Sequence, residues 1–177
     1  MGNWVCTALV ATLVAFVAAA AGIAQESTGG STPAIVPTGL GESVDRDVER
    51  VRKATGKFKN LDRAAAAGYD RDVKDCIANP PQGGMGFHHA KGALMDDRLK
   101  VDEPEILVYE RLPGGEYRLN GVEYIVPIPA WTKDEPPKIM GQPLKKAPRL
   151  GIWYLHVWVW EPNPSGLFAD WNPNVKC

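Results

Sequence analysis

The sequence predicts an α+β fold in which an N-terminal helical segment packs on a small, mostly antiparallel sheet or partly open barrel. Apolar residues recur at helical spacing in the segment after residue 43, and short alternating segments bounded by Pro and Gly follow it. The chain contains 15 prolines and 18 glycines among 177 residues, which favours short elements joined by many turns. No internal repeat is visible, so the helical and strand segments are expected to form one two-layer unit.

Composition excludes several classes of protein. The 20 basic and 21 acidic side chains give a net charge of −1, which argues against nucleic-acid binding because nucleic-acid binders usually carry a basic stripe. A hydrophobic fraction of 45% excludes global disorder. The chain has neither a Walker loop nor a dinucleotide fingerprint, so no nucleotide cofactor is expected.

Residues 1–24 are predicted to be a signal peptide. They carry no charged side chain, the run Trp4–Ala21 is almost wholly apolar, and Gly22–Ala24 supplies small residues for cleavage. The alternative is a retained membrane anchor, because about 20 apolar residues can span a bilayer. After cleavage we expect an exported protein, periplasmic or extracellular, without stable membrane insertion. Residues 25–42 are predicted to be a flexible linker and residues 43–177 a single globular domain.

Two helices are predicted between residues 43 and 68. Their buried face is defined by apolar positions at helical spacing: Val44, Val48, Val51, Phe58, Leu61 and Ala65. Ser43 is expected to cap the first helix, and Gly56 to end it. Asn60 is expected to cap the second helix, which Gly68 ends.

Four strands are predicted after Tyr69, where the period of the apolar residues changes. They span Met85–Ala90, Ile106–Arg111, Tyr117–Val126 and Gly151–Glu161. The segment Pro127–Arg149 carries six prolines and is expected to be a functional lid or a disordered loop. The turn-rich C-terminus keeps large apolar residues and is expected to wrap the sheet.

The cysteines predict a disulfide. Cys6 leaves with the leader, so Cys76 and Cys177 remain as a pair in an oxidising compartment. A metal or redox pair is the alternative, although the chain contains no C-x-x-C motif.

The last predicted strand divides its side chains between two faces. The aliphatic face, which suits a core beneath the helices, carries Leu155, Val157 and Val159. The aromatic face, which is expected to wall a ligand pocket around one imidazole, carries Tyr154, His156, Trp158 and Trp160.

The chain has three histidines, and all lie on predicted strands. His88 and His89 point to opposite sides of their strand, so only one of them can share a face with His156. His88 has small neighbours on its face, which leaves room for a ligand. His89 shares its face with Met85 and Phe87 and is interpreted as a packing residue.

Two acidic residues on predicted strands complete a candidate site. A carboxylate in an apolar strand costs several kcal/mol unless it is paired or ligated, and Glu110 and Glu123 occupy such positions. Together with His88 and His156 they form a plausible ligand set for a divalent transition metal such as Zn²⁺, Mn²⁺, Fe²⁺ or Cu²⁺. The alternatives are hydrogen-bonded core histidines, and glutamates that face solvent or pair with Arg118 or Arg149.

Several short runs carry a further signal: Ala67–Tyr69, Gly84–His88, Pro104–Glu110, Gly121–Tyr124, Leu155–Trp158, Asn163–Phe168 and Trp171–Pro173, with Cys177. In these runs the chain resembles a family of small exported bacterial proteins of unknown function. The resemblance implies export and a Cys76–Cys177 pair, and it favours His88 over His89 as the functional imidazole. It supplies no reaction.

The leading hypothesis is a secreted or periplasmic protein with a His- and Glu-lined, aromatic-walled cavity that binds a metal ion or small ligand. The loop Pro127–Arg149 would cover the cavity. One alternative is a metal-free enzyme that uses Glu123 and His156 as an acid–base pair on a small organic substrate. Another is a non-catalytic envelope protein that serves in binding or interaction.

Overall fold

The computed structural model describes residues 1–2 and 37–177, except for the side chains of residues 72–74. The predicted signal peptide, apart from its first two residues, and most of the predicted linker lie outside the described residues. Residues 37–177 lie in one compact unit. No helix among the described residues is long and apolar enough to cross a membrane.

The helical segment forms as its apolar spacing predicts. It consists of helix α1 (Glu42–Thr55), a 3-10 turn (Gly56–Lys59) and helix α2 (Leu61–Ala66). Asn60 caps α2, because its side chain accepts a hydrogen bond from the backbone N–H of Arg63 at 2.9 Å. The prediction that Ser43 caps α1 is wrong, because the helix begins at Glu42 and its cap position is Gly41.

The strands form one large sheet and one small hairpin. Their bounds are β1 Arg71–Asn79, β2 Gly83–Ala90, β3 Ile106–Arg111, β4 Tyr117–Pro127, β5 Lys138–Ile139, β6 Gln142–Pro143, β7 Lys145–Ala147 and β8 Ile152–Val157. The six-stranded sheet has the order β1-β2-β3-β4-β8-β7 with every pair antiparallel, and β5 pairs with β6. The sheet curls into a half-barrel, and the predicted α+β class is confirmed.

Two strand predictions need correction. β1 was not expected, because four charged residues interrupt its apolar pattern. The last strand is shorter than predicted and ends at Val157. Gly121 of β4 permits this departure, since a Cβ there would lie 2.6 Å from the carbonyl oxygen of Val157. Beyond Val157 the chain leaves the ladder, and Trp160 donates its backbone N–H to the Asn120 carbonyl.

The proline-rich segment Pro127–Arg149 is not a structureless lid. It contains a short 3-10 turn and strands β5, β6 and β7, and β7 extends the large sheet by pairing with β8. Three of its apolar side chains are buried in the main core: Ile139, Met140 and Leu144. The segment is therefore held in place by apolar burial.

The main core lies between helix α1 and one face of the sheet. Val44, Val48 and Val51 of α1 pack against the sheet residues Leu107, Tyr109, Val122, Tyr124, Val126, Leu155 and Val157. Buried tyrosine hydroxyls tie the layers together: Tyr109 donates to the Phe58 carbonyl and Tyr124 to the Val101 carbonyl, each at 2.6 Å. The predicted aliphatic face of β8 is thus confirmed as core.

The other face of the sheet carries a smaller apolar cluster. Its buried members are Ile106, Val108 and Ile125, with Ala90, Met95, Ile152 and Tyr154 packed around them. Because the sheet curls, this face is concave, and it holds the histidines and the carboxylate described below.

The C-terminal segment is fixed to the start of β2. Cys76 of β1 and Cys177 form a disulfide, as the sequence predicts. Gly84 and Asn172 exchange two backbone hydrogen bonds at 3.0 and 3.1 Å. These bonds hold Trp171 beside the concave face, where it lines the cavity described below.

Glu105 is a buried carboxyl at the start of β3 that the sequence analysis did not single out. Its Oε2 accepts a hydrogen bond from the backbone N–H of Ile125 at 3.0 Å, and its side chain is 1% exposed. Burial raises the pKa of Glu105 to about 8, and repulsion from Asp96 and Glu103 adds to the rise. The hydrogen bond from Ile125 lowers the pKa and offsets only part of this shift.

We predict that Glu105→Gln makes stability less dependent on pH. The folded state binds this proton more tightly than the unfolded chain does, so its stabilising effect is complete below about pH 4.5 and is lost as pH rises through 8. Between pH 5 and 8 the wild type should lose on the order of 3 kcal/mol of unfolding free energy that the variant keeps. Urea unfolding of both proteins with a chelator present measures this, and parallel pH curves would contradict it.

Candidate metal centre

Three strands bring His88, Glu123 and His156 to the concave face. His156 of β8 lies directly opposite Glu123 of β4 in the antiparallel register. His88 lies on β2, and β3 runs between it and β4. The curl of the sheet closes this gap, so that Nε2 of His88 lies 3.5 Å from Oε2 of Glu123.

The three side chains offer ligand atoms that all lie within 4.8 Å of one another. Ligands about 2.1 Å from a tetrahedral ion lie about 3.4 Å apart, so the His88–Glu123 separation already suits a shared ion. The group is buried: His156 is 0% exposed, His88 4% and Glu123 6%. The described residues therefore include a His₂Glu group that could hold a metal ion.

Both histidines keep polar atoms without hydrogen bonds. Neither ring nitrogen of His156 has a partner, and Nδ1 of His88 has none. Among the described residues, the other buried side-chain atoms without a hydrogen bond are those of the Asn120 amide. The fold does not explain why that amide is unpaired. An unpaired buried polar group costs about 1–3 kcal/mol, and an ion held by the cluster would bind one nitrogen of each ring.

Burial sets the protonation of all three groups. It lowers the pKa of His88 to about 4, and a contact with the Gly86 backbone opposes this shift only in part. Burial also lowers the pKa of His156 well below its usual value, with repulsion from His88 and Lys145 acting in the same direction. Both imidazoles are thus neutral near pH 7, which is the form that binds metal ions.

The carboxyl group shifts in the opposite direction. Burial raises the pKa of Glu123 to about 8, and the negative charges of Asp170 and Glu105 add to the rise. A cation bound between Glu123 and the imidazoles would reverse this effect, because it favours the ionised carboxylate. Metal binding would then release a proton.

Glu110, the fourth predicted ligand, stands apart from this group. Its Oε2 accepts a hydrogen bond from Arg118 at 2.6 Å, and its Oε1 accepts one from the backbone N–H of Lys176 at 3.2 Å. It is not one of the residues whose ligand atoms converge. The alternative in which a strand glutamate pairs with an arginine describes Glu110 correctly.

The three aromatic residues predicted to wall a ligand pocket lie in different places. Tyr154 lines the cavity, but Trp158 lies behind it with its ring 5.0 Å from that of His156 and donates its indole N–H to the Ala169 carbonyl. Trp160 packs against the main core and donates to Oγ1 of Thr55. The strict alternation fails here because β8 ends at Val157.

His89 lies on the opposite side of β2 from His88, as expected. Its ring packs edge-on against Tyr109 at 5.2 Å, within the helix-facing layer. Met85 does not share that face, contrary to prediction, because a bulge in the β1–β2 pairing turns it into the cavity. Gly86 has a φ of 110° beside this bulge, and a Cβ there would lie 2.3 Å from the Tyr109 carbonyl oxygen.

A cavity of about 410 Å³ opens beside the cluster. His88 and Glu123 lie in its wall, and each strand of the large sheet contributes at least one lining residue. The remaining wall is mostly apolar and consists of Ile77, Met85, Ile106, Ala147, Leu150, Ile152, Tyr154 and Trp171. The segment Pro127–Arg149, which is predicted to cover the pocket, contributes Ala147 to the cavity wall.

A charged pair that the sequence analysis did not identify flanks the cluster. Nζ of Lys145 lies 2.5 Å from Oδ1 of Asp170, and the hydroxyl of Tyr154 donates to Oδ2 of Asp170 at 3.3 Å. Burial raises the pKa of Tyr154 to about 12, and the negative charge of Asp170 and this hydrogen bond add to the rise, so the phenol stays protonated. No local spacing predicts this contact, because Lys145 and Asp170 meet only in the folded chain.

Two imidazoles and one carboxylate are chemically versatile. They are the protein ligands of many zinc sites with an open fourth position, and as a facial triad they bind non-haem iron(II). Because His156 lies fully inside while His88 and Glu123 border the cavity, an open position on a shared ion would face the cavity.

Comparison with protein-family models, with curated proteins and with solved structures finds no match to this chain.

We predict that His156→Leu stabilises the metal-free protein. Leucine has a similar volume and removes two unpaired buried nitrogens, so the free energy of unfolding should rise by about 1–2 kcal/mol. Denaturant unfolding in a chelator measures the change. His89→Leu is the matched control, because the His89 ring already packs against tyrosines, and it should bring no gain. A large loss of stability in His156→Leu would show that His156 is an ordinary core histidine.

Proposed function

We propose that this protein binds one divalent transition-metal ion through His88, Glu123 and His156, with an open coordination position facing the apolar cavity. The observation that carries the proposal is the fully buried imidazole of His156, whose two nitrogens have no protein partner. A shared ion would bind one nitrogen of each imidazole together with the carboxylate of Glu123. Two nitrogen ligands and one oxygen ligand suit Zn²⁺, and Fe²⁺ or Mn²⁺ are further candidates.

Convergence distinguishes this centre from a solvated acidic patch. Its three members come from three strands, are each less than 10% exposed, and point at one another across an apolar surface. Collecting three polar groups in such a place costs free energy unless something binds them. Sites that violate the rules of stable packing in this way are commonly functional.

A metal-free acid–base pair is the second candidate function. It is favoured by the 3.5 Å approach of His88 and Glu123 at the cavity wall, where a carboxylic acid and a neutral imidazole could exchange protons with a substrate. It leaves both nitrogens of His156 unexplained, so the metal proposal accounts for more of the site. The distinction is experimental, since a metal-free pair would function in the presence of a chelator.

We infer that the metal-binding protein is exported. The Cys76–Cys177 disulfide supports this location, because disulfides persist in oxidising compartments. The charge-free apolar start of the sequence and the resemblance to exported bacterial proteins give the same expectation. An envelope protein without a small-molecule site would not require the convergence described above.

Metal uptake by the purified protein tests the proposal. After treatment with a chelator and its removal, titration with Zn²⁺ followed by calorimetry should give about one ion per chain. Elemental analysis of the isolated complex should give the same ratio. Glu123→Gln and His156→Leu should each weaken binding roughly 100-fold or more, because each removes one of three ligands.

His89→Leu is again the matched control and should bind the ion as the wild type does. If the wild type takes up no Zn²⁺, Co²⁺, Mn²⁺ or Fe²⁺, the proposal fails. Equal uptake by the wild type and His156→Leu would place the ion elsewhere and would also overturn it.

A further inference from the structure

The cavity is too large and too apolar to serve the ion alone. At about 30 Å³ for each water molecule, its 410 Å³ would hold roughly fourteen waters. Its walls outside His88 and Glu123 offer them few hydrogen-bond partners. Pockets of this size and character typically bind small molecules, with a few polar groups that fix one end.

A few side chains supply the polarity of the cavity wall. His88 and Glu123 lie in the wall at the metal centre, and the phenol of Tyr154 belongs to the same wall. Apolar side chains make up most of the remaining wall, among them Ile77 of β1 and Ala147 of β7 at the two edges of the sheet, and Leu150. An occupant that fits this division has one polar head and one apolar tail.

The net charge of the metal centre determines which polar head group the cavity favours. A divalent ion, one carboxylate and two neutral imidazoles leave a net charge of +1. The pair formed by Lys145 and Asp170 is neutral overall and does not change that sum. The other lining residues carry no charge, so the excess charge in this apolar surrounding favours an anionic oxygen ligand.

We propose that the cavity binds a small amphiphilic carboxylate, whose head occupies the open position of the metal ion and whose tail lies along the apolar wall. This inference rests on the proposed metal centre. The carboxylate is bound without a chemical step.

Leu150 marks the mouth of the cavity. It lies in the tight turn between β7 and β8, lines the cavity and is nevertheless 73% exposed. A large apolar side chain exposed at this place fits a tail that extends towards the opening. Since Leu150 is not part of the core, its substitution should leave the fold and the metal centre intact.

Calorimetric titration with octanoate tests the proposal on zinc-loaded protein whose metal content has been measured. Octanoate has about ten non-hydrogen atoms and so fits the space. It should bind zinc-loaded protein at least tenfold more tightly than metal-free protein. Octylamine, with the same tail and a cationic head, should bind at least tenfold more weakly than octanoate. Leu150→Glu should weaken octanoate binding about tenfold while zinc uptake stays unchanged.

The outcomes separate this inference from the proposed function. If zinc binds but octanoate binds no better than octylamine, or equally well without zinc, the ligand proposal is overturned and the metal centre stands. An unchanged octanoate affinity in Leu150→Glu would also overturn the placement of the tail. If no metal binds, both proposals fail.

Discussion

The structure depends on one constraint: three polar side chains meet in an apolar hollow with too few hydrogen bonds among them. His88, Glu123 and His156 project from three strands of one curled sheet into the same small volume. Since unpaired buried polar groups destabilise a fold, the rest of the molecule must hold them together. The helices, the disulfide and the buried turns can all be understood as supports for this concave face.

These supports act on the convex side of the sheet and at one of its edges. On the convex side, α1 and the tyrosine hydroxyls fix the layer behind β3 and β4, so that Glu123 cannot move outward without disrupting the core. At the edge, the disulfide and the Asn172–Gly84 bonds hold the C-terminal segment against β1 and β2. The same segment brings Asp170 to Lys145 and Tyr154, which places a polar network next to the centre.

Local patterns in the sequence predicted much of this. Helical spacing of the valines gave α1, and alternation gave β3, β4 and the core face of β8. Successive side chains of a strand point to opposite faces, which predicted that His88 and His89 lie on opposite sides of β2. The presence of acidic residues in apolar strands predicted a role for Glu123. These features depend on neighbours within a few residues, where periodicity carries the information.

What the sequence could not give depends on non-local geometry. Bulges and chain departures break the period-2 rule, so Met85 turned inward and Trp160 turned away from the cavity. The sequence left two arginines, Arg118 and Arg149, as possible partners of a strand glutamate, and only the β3–β4 register places Glu110 beside Arg118. The contact between Lys145 and Asp170 and the curl that joins β2 to β4 arise from the whole sheet.

Anomalous X-ray scattering at the zinc edge from crystals of the zinc-loaded protein tests the central claim most directly. The account predicts one strong peak on the concave face, about 2.0–2.2 Å from a ring nitrogen of His88, a ring nitrogen of His156 and a carboxylate oxygen of Glu123. An intact fold with no peak between these side chains, or with its zinc bound elsewhere, would contradict it.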